Sequence, residues 1–381
     1  MSAPVLTLED LRRRFARRPD AVLDLADDLT ARFAASGDAF VAAPLRAAAG
    51  DLLDRYPDPT ALPLWGMPCV VGANIDVAGL ATSAGLPALD FLPDFDAVAV
   101  ERLRAAGALV VGKAAVDPLG LDASAGAAAE AVAAGLAVFA IASDRTGAAS
   151  LDAARRGVVA VKPTPGRIGT DGLFGATPGI DGITILAADV ASAVAVRRAI
   201  EDAERRPTPA PTRLGLLNDH AAGRAVADRL GLTPVAVDAA PFAEIADLTD
   251  SDVWLSLRLD DVAAIFIETP ELFPPALRPR LSRALGYPAG GLVRLQRRLD
   301  GLKRRVETAF AAANLLLAPT EAQLAGFVNA CGLAAVVLPD GTALVGPGGS
   351  DDRLADAAAI LAEMCIAPPV DIATAWPLAR P

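Results

Sequence analysis

The chain is poor in the residues that most metal, redox and nucleic-acid sites require. Its 381 residues include one histidine, His220, and three widely separated cysteines, Cys69, Cys331 and Cys365. A single histidine excludes any site that needs two histidine ligands, and three scattered cysteines indicate reduced thiols rather than a disulfide framework. Aromatic residues make up only 4%, which argues against base-stacking platforms. We therefore predict a protein with no metal and no cofactor.

Positive charge is also scarce. The chain has 35 lysine and arginine residues against 46 aspartate and glutamate residues, a formal net charge of −11. Nucleic acids and anionic membranes both need clustered positive charge, so this chain is a poor candidate for binding either. The longest strongly apolar run, 131–142, is too short to span a bilayer, and residues 1–10 lack the basic and apolar regions of a signal peptide. We expect a cytoplasmic protein with no nucleic-acid partner and no membrane partner.

The chain has ample material for a large core. Its hydrophobic residues make up 53% and its charged residues 21%, a balance that excludes a disordered chain. Short apolar runs of strand length occur at 69–71, 109–112, 157–161 and 183–186, and helical patterns alternate with them. This alternation predicts an α/β fold with a buried sheet.

Five segments carry a resemblance to a known family. The segment 63–79, PLWGMPCVVGANIDVAG, closely resembles the amidase-signature family and within it is most similar to allophanate hydrolases. Further matches follow in order: RLRAAGALVVGK at 102–113, VKPTPG at 161–166, LLLAPT at 315–320 and FVNACGL at 327–333. The resemblance implies amide hydrolysis and one α/β/α domain, a mixed twisted sheet flanked by helices on both faces.

The resemblance also divides the chain. Residues 1–60 are expected to form an N-terminal helical segment. Residues 61–381 are expected to form a shortened amidase-like core, and the two parts belong to one continuous domain. The shortening lies between Lys113 and Asp122, where the family carries a longer connection that helps to shape its substrate pocket.

The catalytic positions of the family are degenerate in this chain. Members use a serine nucleophile that is activated by a second serine and then by a lysine, because a hydroxyl alone is a weak nucleophile. Aligned on the family motifs, the lysine position is Gly72, the second-serine position is Ser124 and the nucleophile position is Ala148. The resemblance therefore implies that both ends of the relay are missing.

Neighbouring residues offer replacements for the lost groups. Lys113 and Lys162 are candidate substitute bases, and Ser150, two residues after the nucleophile position, is a candidate substitute nucleophile. An ordered cluster of Ser124, Lys113 and an acid would favour a rebuilt site. Cys69 lies just before the lost lysine, and we expect it to be a small buried hydrophobe.

A remnant pocket is the other candidate feature. In family terms, these polar residues lie near the old site: Asn74, Asp76, Lys113, Asp117, Asp144, Arg145 and Arg167. They either bind a small amide, ureido or carboxylate compound, or they hold the glycine-rich turn in place. Alanines around Ala148 suggest closer packing than the family has.

Taken together, the residues favour a pseudoenzyme, a catalytically degenerate amidase-family protein. We expect it to act as a structural or regulatory subunit of an enzyme complex in amide, urea or other nitrogen metabolism. It would bind a protein partner or form a homo-oligomer. Two alternatives stay open. One is an active amide hydrolase or acyltransferase with a rebuilt site, and the other is a small-molecule-binding protein that uses the remnant cleft for an amide or ureido ligand.

Overall fold

One large sheet organises the part of the chain that the structure describes. The computed structural model describes these residues: 7–35, 40–120, 127–174, 181–202, 208–217, 221–259, 262–319 and 326–363. The strands within them, β1 to β11 in chain order, are Phe40–Ala42, Pro68–Gly72, Leu109–Ala114, Phe139–Ser143, Val159–Lys162, Ile183–Ala187, Arg213–Leu216, Thr233–Ala236, Leu315–Pro319, Ala334–Val337 and Thr342–Gly346. All eleven belong to one sheet in the order β1-β3-β2-β4-β6-β5-β10-β11-β9-β7-β8.

Helices connect and cover these strands. Those in the described ranges, α1 to α15 in chain order, are Leu8–Arg17, Ala21–Ala34, Leu45–Arg55, Val98–Ala105, Ala128–Ala133, Ala148–Arg155, Val190–Ile200, Ala221–Leu230, Ala240–Thr249, Asp252–Arg258, Ala263–Glu268, Arg278–Leu285, Ala289–Ala312, Phe327–Ala330 and Asp351–Ala362. None of these helices is both long and apolar enough to cross a membrane.

The sheet is mixed, and its centre is covered on both faces. Strand β2 runs parallel to β3 and β4, whereas β6 runs antiparallel to β4 and β5. Every residue of β2, β3 and β6 is buried. Because side chains along a strand point alternately to opposite faces, complete burial requires packing on both. The predicted α/β fold with a large mixed sheet is confirmed.

The N-terminal helices pack into the same core as the sheet. Leu8, Leu11 and Phe15 of α1 are buried and join the cluster that holds Cys69 and Val70 of β2. Helix α1 begins at a capping box in which the Thr7 hydroxyl accepts a hydrogen bond from the Asp10 amide at 3.1 Å. The division of the chain at residue 60 stays a prediction.

A second, smaller core lies under helices α10 to α12. It joins Leu255 of α10, Phe266 of α11 and Leu281 of α12 to Ala84 and Leu119, which come from two loops that follow β2 and β3. Ala84 and Leu119 also line the cavity described below. This helical layer is therefore what holds the two loops against the candidate site.

Candidate functional site

The ends of two parallel strands and the start of a helix meet around a small cavity. Gly72 is the last residue of β2, Ser143 is the last residue of the adjacent strand β4, and Ala148 is the first residue of α6. All three line one cavity of about 60 Å³. The carboxyl ends of neighbouring parallel strands are a common place for ligand sites in α/β folds.

Two of the three positions that the resemblance assigns to the relay thus face the same space. A β-carbon built on Gly72 would lie 3.4 Å from Asn74 Oδ1 and 3.6 Å from the Ala142 Cα, which are ordinary contact distances. The backbone at Gly72 would therefore accept a side chain, and the cavity beside Ala148 has no hydroxyl from that residue. Ser124, the third position, lies outside the described residues, as do His220 and Cys365.

Alanines make up much of the lining of this small cavity. Its lining includes these alanines: Ala84, Ala128, Ala129, Ala142, Ala148 and Ala149. A volume of about 60 Å³ admits a few water molecules. It is well below the several hundred cubic ångströms typical of pockets that enclose an organic ligand. The described lining therefore favours packing over the enclosure of an extended substrate.

Asp144 lines the cavity, as predicted, and its carboxylate is the centre of a buried polar cluster. Its Oδ2 accepts a hydrogen bond from the Ser150 hydroxyl at 2.6 Å and lies 3.3 Å from the Lys162 Nζ. The Asp144 carbonyl oxygen accepts hydrogen bonds from Lys162 and, at 2.9 Å, from Asn329 Nδ2. These contacts anchor the turn that precedes α6 to β5 and α14. Both sequence-predicted substitutes, Ser150 and Lys162, are engaged in this cluster.

Lys113 takes part in a different buried chain of hydrogen bonds. Its Nζ donates to the Thr82 hydroxyl at 2.8 Å, and that hydroxyl donates to Asp76 Oδ1 at 2.7 Å. Burial lowers the pKa of Lys113 to about 8, and the carboxylates of Asp76 and Asp90 partly oppose this effect. Neither Lys113 nor Asp76 is among the residues that line the cavity.

Two other sequence-predicted residues do line the cavity. The Asn74 Nδ2 donates a hydrogen bond to the Ser143 hydroxyl at 3.0 Å, which ties the turn after β2 to the end of β4. Arg145 lies beside Arg258 and Asp181, whose side chains are 3.8 Å apart. Burial lowers the pKa of Arg145 to about 10, and the charge of Arg258 contributes in the same direction. The lining thus carries charges of both signs.

Arg167 lies elsewhere in the molecule. Its guanidinium contacts Glu201 at 3.2 Å and Asp351 at 3.1 Å, and it is absent from the cavity lining. The structure therefore does not bring Arg167 together with Gly72 and Ala148.

Cys69 is fully buried in β2, and burial raises the pKa of its thiol to about 12. Such a thiol packs as a small apolar side chain and does not act as a nucleophile.

Sequence reasoning missed several lining residues. Asp181 and Arg258 come from segments far apart in the chain and carry no motif that would single them out, whereas the predicted Asp117 does line the cavity. Arg258 ends α10, and only the packing of that helix brings it to the cavity. No group of three or more histidine, cysteine, aspartate or glutamate side chains that could hold a metal ion occurs in the described ranges.

Comparisons with known proteins agree with this geometry. The sequence model of the Amidase family matches residues 21–125 and 123–220. Urea amidolyase of Saccharomyces cerevisiae is 24% identical over 350 residues, which cover 74% of this chain and 19% of the yeast protein. The chain spans less than half the length of the curated relatives that it matches.

Solved structures share the fold. Kluyveromyces lactis allophanate hydrolase superposes with a TM-score of 0.80 at 20% identity, covering 93% of this chain and 71% of that protein. A second structure has a TM-score of 0.78 at 21% identity and covers 96% of this chain and all of its own. It is described as a vestigial protein complex that reveals the evolutionary origins of an s-triazine catabolic enzyme.

Proposed function

This chain belongs to the amidase family, and on that premise we propose that it is a catalytically degenerate member whose fold serves assembly. In this role it is a structural or regulatory subunit of an enzyme complex in amide, urea or related nitrogen metabolism. The observation that carries the proposal is the shared cavity of Gly72 and Ala148, where the family's lysine and nucleophile belong. Neither residue has a side-chain atom that can attack a carbonyl or accept a proton.

The contacts of the candidate substitutes support this proposal. A working relay needs a hydroxyl within hydrogen-bond reach of a base and free to approach the substrate. The Ser150 hydroxyl is buried and donates to Asp144, whereas the Lys113 ammonium donates to Thr82 outside the cavity lining. Among the described residues, no lysine therefore contacts a serine hydroxyl that faces the cavity.

The preserved core supports a role that depends on shape. Strand β2 beside the site is buried throughout and pairs in regular register with β4. A solved relative of the same fold is described as part of a vestigial protein complex. By analogy, we propose that this chain also acts through a protein partner or through copies of itself.

An amide-hydrolysis panel tests the loss of activity. The purified chain is assayed with allophanate, malonamide, simple aliphatic amides and aryl amides, beside an active amidase of the same fold as a positive control. We expect ammonia to be released no faster with the protein than in buffer alone. The variants Ser124→Ala, Ser150→Ala and Lys113→Met serve as matched controls, because they remove both candidate nucleophiles and the candidate base that does not pair with Asp144.

Two outcomes would separate the alternatives. Turnover in the wild-type chain that disappears in one of the three variants would establish a rebuilt hydrolase and refute the pseudoenzyme proposal. A thermal shift with an amide, urea or dicarboxylate, in a chain that hydrolyses none of them, would favour the small-molecule-binding alternative, because a ligand of the folded state raises the melting temperature.

A further inference from the structure

A rigid apolar projection stands out on the surface after β2. Residues 90–96, which we call the knob, expose Phe95 to 82%, Leu92 to 66% and Phe91 to 41%. Backbone hydrogen bonds fix its path: Phe91 and Thr82 exchange a pair at 2.8 and 3.1 Å, and the Gly79 amide donates to Pro93 at 3.2 Å. A preformed projection of this kind loses little conformational entropy when it is buried by a partner.

Acidic residues surround these apolar side chains. Asp90 and Asp94 are exposed beside the knob's aromatic rings, and Asp96 pairs with Arg104 at 2.8 Å. This rim disfavours contact with an anionic lipid surface. It also disfavours a symmetric contact between two knobs, because like charges would then face each other. The complementary surface is an apolar hollow with a basic rim.

The same chain carries a hollow of that kind. Between α1 and residues 59–67 lies an apolar cavity of about 330 Å³, which we call the hollow. Phe15, Trp65 and Met67 form its buried floor, and the Phe15 and Trp65 rings meet edge to face at 5.3 Å. Arg12 lines the hollow and gives it a positive charge, and α1 as a whole carries four arginines against two acidic residues.

The two surfaces lie at opposite ends of one strand. Trp65 and Met67 precede β2, whereas the knob is held by residues 76–82, which follow it. A knob therefore cannot reach the hollow of its own chain. We propose that the knob of one copy inserts Leu92 and Phe95 into the hollow of a second copy.

This contact joins two different surfaces, so it does not close on itself through a two-fold axis. Head-to-tail contacts produce a ring when the rotation between copies closes and an open filament when it does not. The inference rests on the assembly role proposed above and specifies its homo-oligomeric form.

Sedimentation velocity over a range of protein concentrations tests the contact. We expect the wild-type chain to grow beyond a dimer as concentration rises, with weaker association at high salt. Phe95→Asp in the knob and Ala16→Trp in the hollow should each weaken association about tenfold or more. Val293→Asp is the matched control, because Val293 is an exposed apolar residue of α13 outside both surfaces, and it should leave association unchanged.

A mixing experiment identifies the head-to-tail arrangement. The Phe95→Asp chain keeps an intact hollow and the Ala16→Trp chain keeps an intact knob, so an equimolar mixture should form a heterodimer that cannot grow. Arg12→Glu provides a second hollow variant, and circular dichroism checks that each variant is folded. A monomeric wild-type chain, association that neither surface affects, or variants that fail to pair would each overturn the inference.

The amide assay is independent of this test. A monomeric chain without hydrolytic activity overturns the head-to-tail contact alone. An assembling chain that hydrolyses amides through Ser124, Ser150 or Lys113 overturns the proposed function and leaves the contact standing.

Discussion

Lys113 illustrates, at the scale of a single residue, how burial sets the chemistry of a side chain. Only 1% of its surface is exposed, and its ammonium has the Thr82 hydroxyl as a hydrogen-bond acceptor at 2.8 Å. The Thr82 hydroxyl in turn donates to the Asp76 carboxylate, so it lies between the ammonium and that carboxylate. Removal of the charge from water is therefore only partly compensated, and the pKa of Lys113 falls to about 8.

This lowered pKa predicts a stability that rises with pH. Between about 8 and the ordinary lysine pKa of 10.5, the unfolded chain binds more protons at this residue than the folded chain does. Lys113 should therefore contribute an increase in the free energy of unfolding of about 1.4 kcal/mol per pH unit across that window, about 3 kcal/mol in all. The buried Cys69 thiol, whose pKa is raised to about 12, opposes this rise in every variant, so the measurement is a difference. Denaturant unfolding at several pH values should show the wild-type chain gaining stability relative to Lys113→Met as the pH rises.

Lys303→Met is the control for the pH experiment. Lys303 lies on α13, away from Thr82 and Asp76, and its removal should leave the rise intact. Parallel pH profiles for the wild-type chain and Lys113→Met would contradict the assigned pKa.

At the scale of elements, close backbone contacts hold the loops around the site. The loop that follows β2 contains Gly85, whose φ is +70°, and a β-carbon built there would lie 2.5 Å from the Val116 carbonyl oxygen. Val116 and Asp117 follow β3 and line the cavity. The two loops can approach this closely because Gly85 has no side chain.

Two glycines of one loop allow a matched prediction. Gly85→Ala should lower the free energy of unfolding by more than 3 kcal/mol. The backbone at Val116 would have to move away from the new methyl group, and the alanine would have to adopt an unfavourable φ. Gly79 has a φ of +78° but open space around its α-carbon, so Gly79→Ala should cost only about 1–2 kcal/mol. Thermal or denaturant unfolding of both variants gives the comparison, and equal losses would show that the close contact is unimportant.

At the scale of the whole molecule, a buried ion network joins distant parts of the chain. Arg167, in the turn after β5, contacts Glu201 at the end of α7 and Asp351 at the start of α15. Arg197 of α7 also contacts Glu201, at 2.8 Å, and pairs with Asp352 of α15. The network therefore fastens α15 to the sheet, with few of its charges open to water.

Removal of Arg167 should destabilise the fold. Arg167→Ala leaves the Asp351 and Glu201 carboxylates, which are nearly fully buried, with one cation fewer, and we expect a loss of about 3 kcal/mol. Arg198→Ala is the control, because this half-exposed arginine pairs with the partly exposed Asp352 and its loss should cost less than about 1 kcal/mol. Unchanged stability of Arg167→Ala, together with an altered response to amide ligands, would instead support the predicted ligand-binding role of Arg167.

The sequence alone determined the family and the α/β fold, and its assignment of the relay positions stays a prediction. The family resemblance rests on short continuous sequence motifs. The apolar runs 69–71 and 183–186 lie within β2 and β6, because strands buried on both faces are continuously apolar. The alignment also places Gly72 and Ala148 at the family's catalytic positions, and both line one cavity.

The tertiary structure decided which polar groups share that cavity. Arg167 is near the old site in family terms, yet its charge is satisfied by acids from two helices that no local pattern connects to it. Arg258 reaches the cavity only through the packing of α10, and there it lies 3.8 Å from Asp181, which comes just before β6. The knob and the hollow likewise became recognisable as complementary surfaces only once exposure, cavity volume and charge were known. Such properties depend on contacts between residues far apart in the chain, so a one-dimensional pattern cannot specify them.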